Sequence, residues 1–305
     1  MQGDGKDGNT WAATAVGAAP AHKDGGRESG GPAADAGRAG RSGARLARFV
    51  QSTLIASDVT EAQVIAHCRA CLEYGFHAAM VPPLWVPLAR RVLAGSAVRV
   101  ASFVDFPLGC MTTAARVAQA RDLAEAGVDE IDIMVPLGLF KSGRLDEFRA
   151  DLEAVVRAAR PAATKAMLEL PLLDPAERET MVELALAVGF DWLKNASGGA
   201  VGVATPDDIR FLRQRVPAGV GVKASGGIKT AAQAWALIEA GAELLGTSSA
   251  VALVTGDAGA GAGAPAATGA GPQGRGSQGP AGPGGDARAD EPARPGAAAN
   301  PRFAY

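Results

Sequence analysis

The sequence predicts a (β/α)8 TIM barrel with a disordered tail at each end, and three observations predict it. Short apolar runs alternate with helix-length segments eight times between about Ala44 and Val254. The connections between them are short, as in a closed parallel sheet. The two ends carry no hydrophobic period. Residues 1–43 are rich in Gly, Ala and scattered charge, and 255–305 are Gly, Ala and Pro almost to the last residues. Such stretches bury too little apolar surface to offset the entropy of ordering, so both are expected to be disordered. A doubly wound open sheet is the alternative fold. No G-x-G-x-x-G follows the first strand, which counts against it.

Each element has its own signal. Phe49 to Leu54 reads as the first strand. Asp58 or Thr60 caps a helix to Tyr74, and Gly75 ends it. His77 to Val81 is the second strand, and Pro83 opens a helix to Leu93. Val98 to Asp105 is followed by a helix from Thr112 to Ala126, stopped by Gly127. Glu130 to Val135 precedes a helix from Leu145 to Ala159, with Pro161 beyond it. Thr164 to Leu170 leads to Asp174-Pro175 and a helix to Val188. Phe190 to Asn195 leads to Thr205-Pro206 and a helix to Val216. Gly221 to Ala224, a helix from Thr230 to Ala240, Glu243 to Gly246 and a short helix after Ser248 complete the set.

Composition narrows the partners. A chain of 305 residues, 48% hydrophobic, suits one barrel-sized domain plus extras, and a net charge of −2 gives no electrostatic case for nucleic acid or a membrane surface. No apolar run is long enough to span a bilayer, and the N-terminus lacks a secretory pattern. The three cysteines, Cys68, Cys71 and Cys110, are too few and too odd for a disulfide framework, so a cytoplasmic location is expected. Cys68 and Cys71 form a C-x-x-C beside His67, but no second pair completes a zinc site. They read better as small residues on a helix.

The chemistry lies in lysines on strands. Lys194 ends an apolar run just before Asn195-Ala196-Ser197-Gly198-Gly199. Lys223 precedes Ala224-Ser225-Gly226-Gly227, and Lys165 sits in Thr164 to Glu169. Asp132 lies in Glu130 to Met134, on the same strand face as Glu130 and Met134. Trp192 shares a face with Lys194. A buried amine is costly unless it is used, and desolvation favours its neutral, nucleophilic form. Structural ion pairs are the alternative. Three such lysines with an acid, at the strand ends where barrel active sites lie, suit Schiff-base chemistry better. The same rim carries Ser197-Gly198-Gly199, Ser225-Gly226-Gly227 and Gly246-Thr247-Ser248-Ser249. Backbone N–H groups there can hold a phosphate, with Ser197, Gly198, Gly226, Gly227, Ser248 and Ser249 as the candidate residues.

Several strings carry a family resemblance: Trp85-Val86-Pro87-Leu88-Ala89, Phe106-Pro107-Leu108-Gly109, Asp129-Glu130-Ile131-Asp132, Lys141-Ser142-Gly143, Gly221-Val222-Lys223-Ala224-Ser225-Gly226-Gly227-Ile228 and Gly246-Thr247-Ser248-Ser249. Together they make the core resemble the deoxyribose-phosphate aldolases, class I Schiff-base enzymes. The resemblance implies that Lys194 forms the Schiff base. It implies that Asp132 and Lys223 handle protons and tune the amine, with Lys165 alongside. It implies no metal and no organic cofactor, and a sugar-phosphate substrate; a homodimer is one of the oligomeric states that the sequence leaves open. Some aldolases of the family end in a tyrosine, which suggests a role for the last residue, Tyr305, on a tether long enough to reach the active site; a frayed end with no role is the alternative. A related aldolase with another aldehyde, or a sugar-phosphate-binding barrel without turnover, are the alternatives. Departures from the family pattern lie on the rim. Gln51-Ser52-Thr53 replaces Asp-His-Thr, Asn195-Ala196 replaces two hydroxyl residues, Leu170 follows Glu169 in place of Thr, and Pro82 replaces Asn.

Overall fold

The computed structural model describes residues 43–256. The expected disorder of the tails and the expected visit of Tyr305 to the active site lie outside the described residues. Within them, eight parallel strands close into a barrel in chain order. They are β1 (Val50–Thr53), β2 (Ala78–Met80), β3 (Arg99–Val104), β4 (Glu130–Met134), β5 (Ala163–Met167), β6 (Trp192–Lys194), β7 (Gly221–Ser225) and β8 (Leu244–Thr247). β1 pairs with both β2 and β8, so no sheet edge is left open. The expected TIM barrel is the fold observed.

The helix boundaries follow local chemistry. Thr60 and Asp174 form capping boxes with Gln63 and Glu177, and Gly75 and Gly189 close those two helices in the left-handed conformation. Thr112, Thr205 and Thr230 cap the helices Thr113–Glu125, Pro206–Arg213 and Ala231–Glu239. The short helix Leu137–Lys141 and the 3-10 turn Leu170–Leu172 were not expected from sequence. Both continue directly from strand ends at the rim.

Two packings share the strands. Outward residues such as Val50, Ile131, Ile133, Leu193, Val222 and Leu245 join the helices in one large apolar core. Cys68 and Cys71 belong to that core and are free thiols; burial raises them to about 11 and about 12, which keeps them protonated. Beside them burial lowers His67 to about 4, so it is neutral. Inside the barrel, Ala78, Met80 and Ala101 form a small apolar cluster with Ile55 and Phe103. Beside it stand the charged groups Glu130, Asp132, Lys165, Lys194 and Lys223, all buried.

Candidate active site

Strand register places the charged side chains on neighbouring inward positions. Asp132 lies beside Lys165, Met167 beside Lys194, and Lys194 beside Lys223. Glycines make room for them. A Cβ at Gly246 would come within 3.1 Å of Lys223 Cε, and one at Gly221 within 2.1 Å of the Trp192 ring. Gly221 must therefore be bare for Trp192 to lie where it does, and a side chain at 246 would crowd Lys223.

The lysines converge on one carboxylate. Asp132 Oδ2 accepts from Lys223 Nζ at 2.6 Å and from Lys194 Nζ at 2.9 Å. Lys165 Nζ stands 3.5 Å from the other oxygen, Oδ1, and donates instead to Glu130 Oε2 at 2.6 Å. Glu130 also meets His77 at 2.7 Å and Arg99 at 2.8 Å. Burial works against charge on both acids, but the cations overcome it. Lys165 and His77 hold Glu130 well below the usual carboxylate range, and Lys223, Lys194 and Lys165 do the same for Asp132. For Lys223 the balance goes the other way. Burial pushes its ammonium well below the ordinary lysine value, Asp132 opposes this, and Lys194 and Lys165 add to it. Asp132 is thus a fixed anion, and Lys223 an ammonium that readily gives up its proton to become a neutral amine.

Lys194 is the best exposed of the three lysines: 6% of its side chain is accessible, against 1% for Lys223 and 0% for Lys165. Its Nζ also donates to the Ser197 carbonyl at 3.2 Å and approaches Met167 Sδ at 3.4 Å. The chamber above it holds about 30 Å³, with Lys194, Lys223, Asp132 and Ser225 as its polar wall and Ile55, Met80, Phe103, Phe106 and Met167 as its apolar wall. Lys165 stands beneath, outside this lining.

The chamber opens into a cleft of about 610 Å³ lined by all six residues expected at the phosphate site, Ser197, Gly198, Gly226, Gly227, Ser248 and Ser249. Gly226 and Gly227 have φ of 114° and 66°, and a Cβ at Gly226 would sit 2.4 Å from the Gly202 carbonyl. Only glycine fits there. The hydroxyl of Thr247 is already used, donating to Ile228 O and accepting from Ser249 N–H.

Sequence reasoning did not assign four further residues. Lys229 adds a cation to the cleft. Gln51 lies fully buried between Glu130 and Lys223, donating to the first and accepting from the second. Glu130 itself was seen only as a face-mate of Asp132. Glu169 accepts from Ser197 N–H at 3.0 Å, and burial raises its pKa. Long-range contacts of this kind leave no local spacing signal. Among the described residues no group of three or more His, Cys, Asp or Glu is placed to hold a metal ion.

No family model matches the chain. Curated relatives do. The deoxyribose-phosphate aldolase of Deinococcus radiodurans is 38% identical over 211 residues, 69% of this chain and 96% of the relative. That of Geobacillus sp. (strain WCH70) is 36% identical over 212 residues, 69% of this chain and 95% of the relative. The chain belongs to the deoxyribose-phosphate aldolase family. It is a lyase, a class I aldolase. Solved structures agree with this membership in that family. The tetrameric deoxyribose phosphate aldolase of Aeropyrum pernix superposes with a TM-score of 0.64 at 29% identity, covering 73% of this chain and 96% of its own. The aldolase QR15 gives 0.63 at 29% identity, covering 68% and 94%. No described helix is long and apolar enough to cross a membrane.

Proposed function

We propose that this barrel cleaves 2-deoxy-D-ribose 5-phosphate reversibly to acetaldehyde and D-glyceraldehyde 3-phosphate, with Lys194 as the covalent residue. The observation that carries the assignment is access: both Lys194 and Lys223 line the chamber, but Lys194 has the more exposed amine. Its neutral amine attacks C1 of the open-chain sugar, and loss of water gives an iminium. That cation draws the electron pair of the C2–C3 bond as the bond breaks. Lys223 takes the proton from the C3 hydroxyl, held in place by Asp132, and returns it to C2 of the enamine. Hydrolysis then frees acetaldehyde and Lys194. Lys165, bound to Glu130, supplies a fixed positive charge beneath Asp132. The apolar wall suits a C2 that carries no hydroxyl. The glycine and serine cleft, with Lys229, suits the phosphate.

Borohydride reduction in the presence of acetaldehyde, followed by mass mapping, tests the assignment. The adduct is expected on Lys194, absent in Lys194→Ala and slower to form in Lys223→Ala. An adduct on Lys165 or Lys223 in the unaltered protein refutes it.

The aldolase domain is taken as residues 44–254, with the tails 1–43 and 255–305 outside it. A homodimer is proposed as the assembly, which light scattering on the full chain will check. Three free cysteines support a cytoplasmic location.

A further inference from the structure

Gln51, on β1, lies fully buried between two charged groups. Its Nε2 donates to Glu130 Oε2 at 3.2 Å, and its Oε1 accepts from Lys223 Nζ. The amide has no freedom to flip. An ionised carboxylate only accepts, so the NH2 must face Glu130, which leaves the carbonyl oxygen facing Lys223. The neighbouring β8 position is Gly246, which carries no side chain to compete.

The groups around Lys223 can be counted strand by strand. Gln51 reaches it from β1 and Asp132 from β4; Lys165 on β5 and Lys194 on β6 add positive charge. Behind Gln51, Glu130 is held by Lys165, His77 and Arg99. Three amines therefore share two carboxylates, and one of those carboxylates faces Arg99 and His77 as well. Gln51 fills a position from which a third carboxylate could reach Lys223, and fills it with a neutral group.

We propose that Gln51 is a positioning residue for the aldol reaction: oriented by Glu130, its amide fixes Lys223 beside Asp132 without adding a third negative charge, so that Lys223 gives up its proton at a lower pH than it would beside the carboxylate of the family pattern. This rests on the reading of Lys194 as the covalent residue and Lys223 as its proton partner. Burial and the neighbouring ammonium groups already disfavour charge on Lys223. A carboxylate at position 51 would reverse that balance.

The test is the pH dependence of cleavage of 2-deoxyribose 5-phosphate by the full chain, with kcat and KM measured separately. Gln51→Glu should stabilise the Lys223 ammonium, so that a higher pH is needed to form the amine. The acidic limb of kcat should then move up by about one pH unit or more, with KM unchanged. Gln51→Met keeps the charge and removes the acceptor, so its acidic limb should move down. A packing role alone moves neither limb, and an unmoved limb in both variants, or a downward move in Gln51→Glu, overturns the proposal. If Gln51→Glu does not fold, Gln51→Met decides: a downward shift supports the proposal and an unmoved limb overturns it. Lysine mapping after borohydride separates the two readings. An adduct on Lys223 removes the assignment of Lys194 whatever the limb does, and an adduct on Lys194 with an unmoved limb removes only the role of Gln51.

Discussion

Glu169→Ala tests how Lys194 is aimed. Glu169 follows the end of β5 with a φ of 54°, one of two non-glycine residues with positive φ among the described residues. Its Oε1 accepts the Ser197 N–H, and the Ser197 carbonyl in turn accepts from Lys194 Nζ. Backbone bonds on either side, Leu168 N–H to Lys194 O and Leu170 N–H to Asn195 O, lock it against β6. Alanine leaves the buried Ser197 N–H without its acceptor, which costs about 1–3 kcal/mol. If that loss falls on the geometry of Lys194, the rate of borohydride-trapped adduct formation drops about 5- to 150-fold. Gln keeps an acceptor oxygen and should restore most of the rate. Glycine relieves the left-handed backbone, so Glu169→Gly should be more stable than Glu169→Ala by about 1 kcal/mol. Trapping at the unaltered rate in Glu169→Ala refutes the linkage. So does a Gln variant as slow as the Ala variant at an unchanged melting temperature. The same residue gives a pH signature. Burial raises its folded pKa, so the folded state binds the proton more firmly than the unfolded chain. Stability from this group is therefore present at low pH and falls as pH rises above the unfolded value of about 4.3. Glu169→Gln lacks this ionisation, and its stability relative to the unaltered protein should increase as pH rises through that window.

Two further outcomes follow from the charges at the rim and within the barrel. Ser248→Asp puts an anion at the phosphate cleft. Like charges 4 Å apart repel by about 1 kcal/mol in water and about 4 kcal/mol near a protein surface, so KM for the phosphorylated sugar should rise about fivefold or more. KM for unphosphorylated deoxyribose should stay the same, and an equal rise for both would place the phosphate elsewhere. Glu130→Gln removes the anion between Lys165, His77 and Arg99 and should cost about 3–5 kcal/mol at neutral pH. The folded pKa of Glu130 is lowered, so its contribution is full above the unfolded value near 4 and disappears as pH falls. Urea midpoints of variant and unaltered protein should therefore converge in acid; a gap that widens there would contradict the pairing.

The barrel was legible in the sequence because its signals are local. The Asp174-Pro175 start and Gly189 stop bracket a helix whose residues, Pro175–Val188, match the expected span. The lysine strands were legible for the same reason: a cation in an apolar run is visible in a window of six residues. Strand ends were less so. β6 was read as Phe190 to Asn195 but pairs only over Trp192–Lys194, because Asn195 turns to bond Ser225 through its side chain. The phosphate rim was found through its glycines, whose positive φ is a backbone requirement written in residue type. Gln51 and Glu169 gave no such signal. Their partners lie far along the chain: Lys223 on β7, 172 positions from Gln51, and Ser197 in the loop after β6, 28 from Glu169. Pairing of β5 with β6 brings Glu169 to Ser197, and closure of the sheet brings Gln51 to Lys223.

The two acids of β4 show why one strand face can do two jobs. Glu130 and Asp132 are two residues apart and point the same way, yet their partners differ. Glu130 is tied to Lys165, His77 and Arg99, and Arg99 is 52% exposed, so this group meets solvent. Asp132 is tied to Lys194 and Lys223, which line the chamber. Lys165 joins the two sets, bonded to one acid and 3.5 Å from the free oxygen of the other. Its charge there adds to the hold that Lys223 and Lys194 already have on Asp132, without occupying the oxygen that those two chamber lysines share. If Lys165 were instead paired to Asp132 directly, it would compete with Lys194 and Lys223 for the same anion. Glu130 prevents this by holding Lys165 at 2.6 Å, and Gln51 carries the same acid's influence to Lys223 in neutral form. The lower acid thus sets the charge state in which the upper one works, though it lies outside the chamber lining.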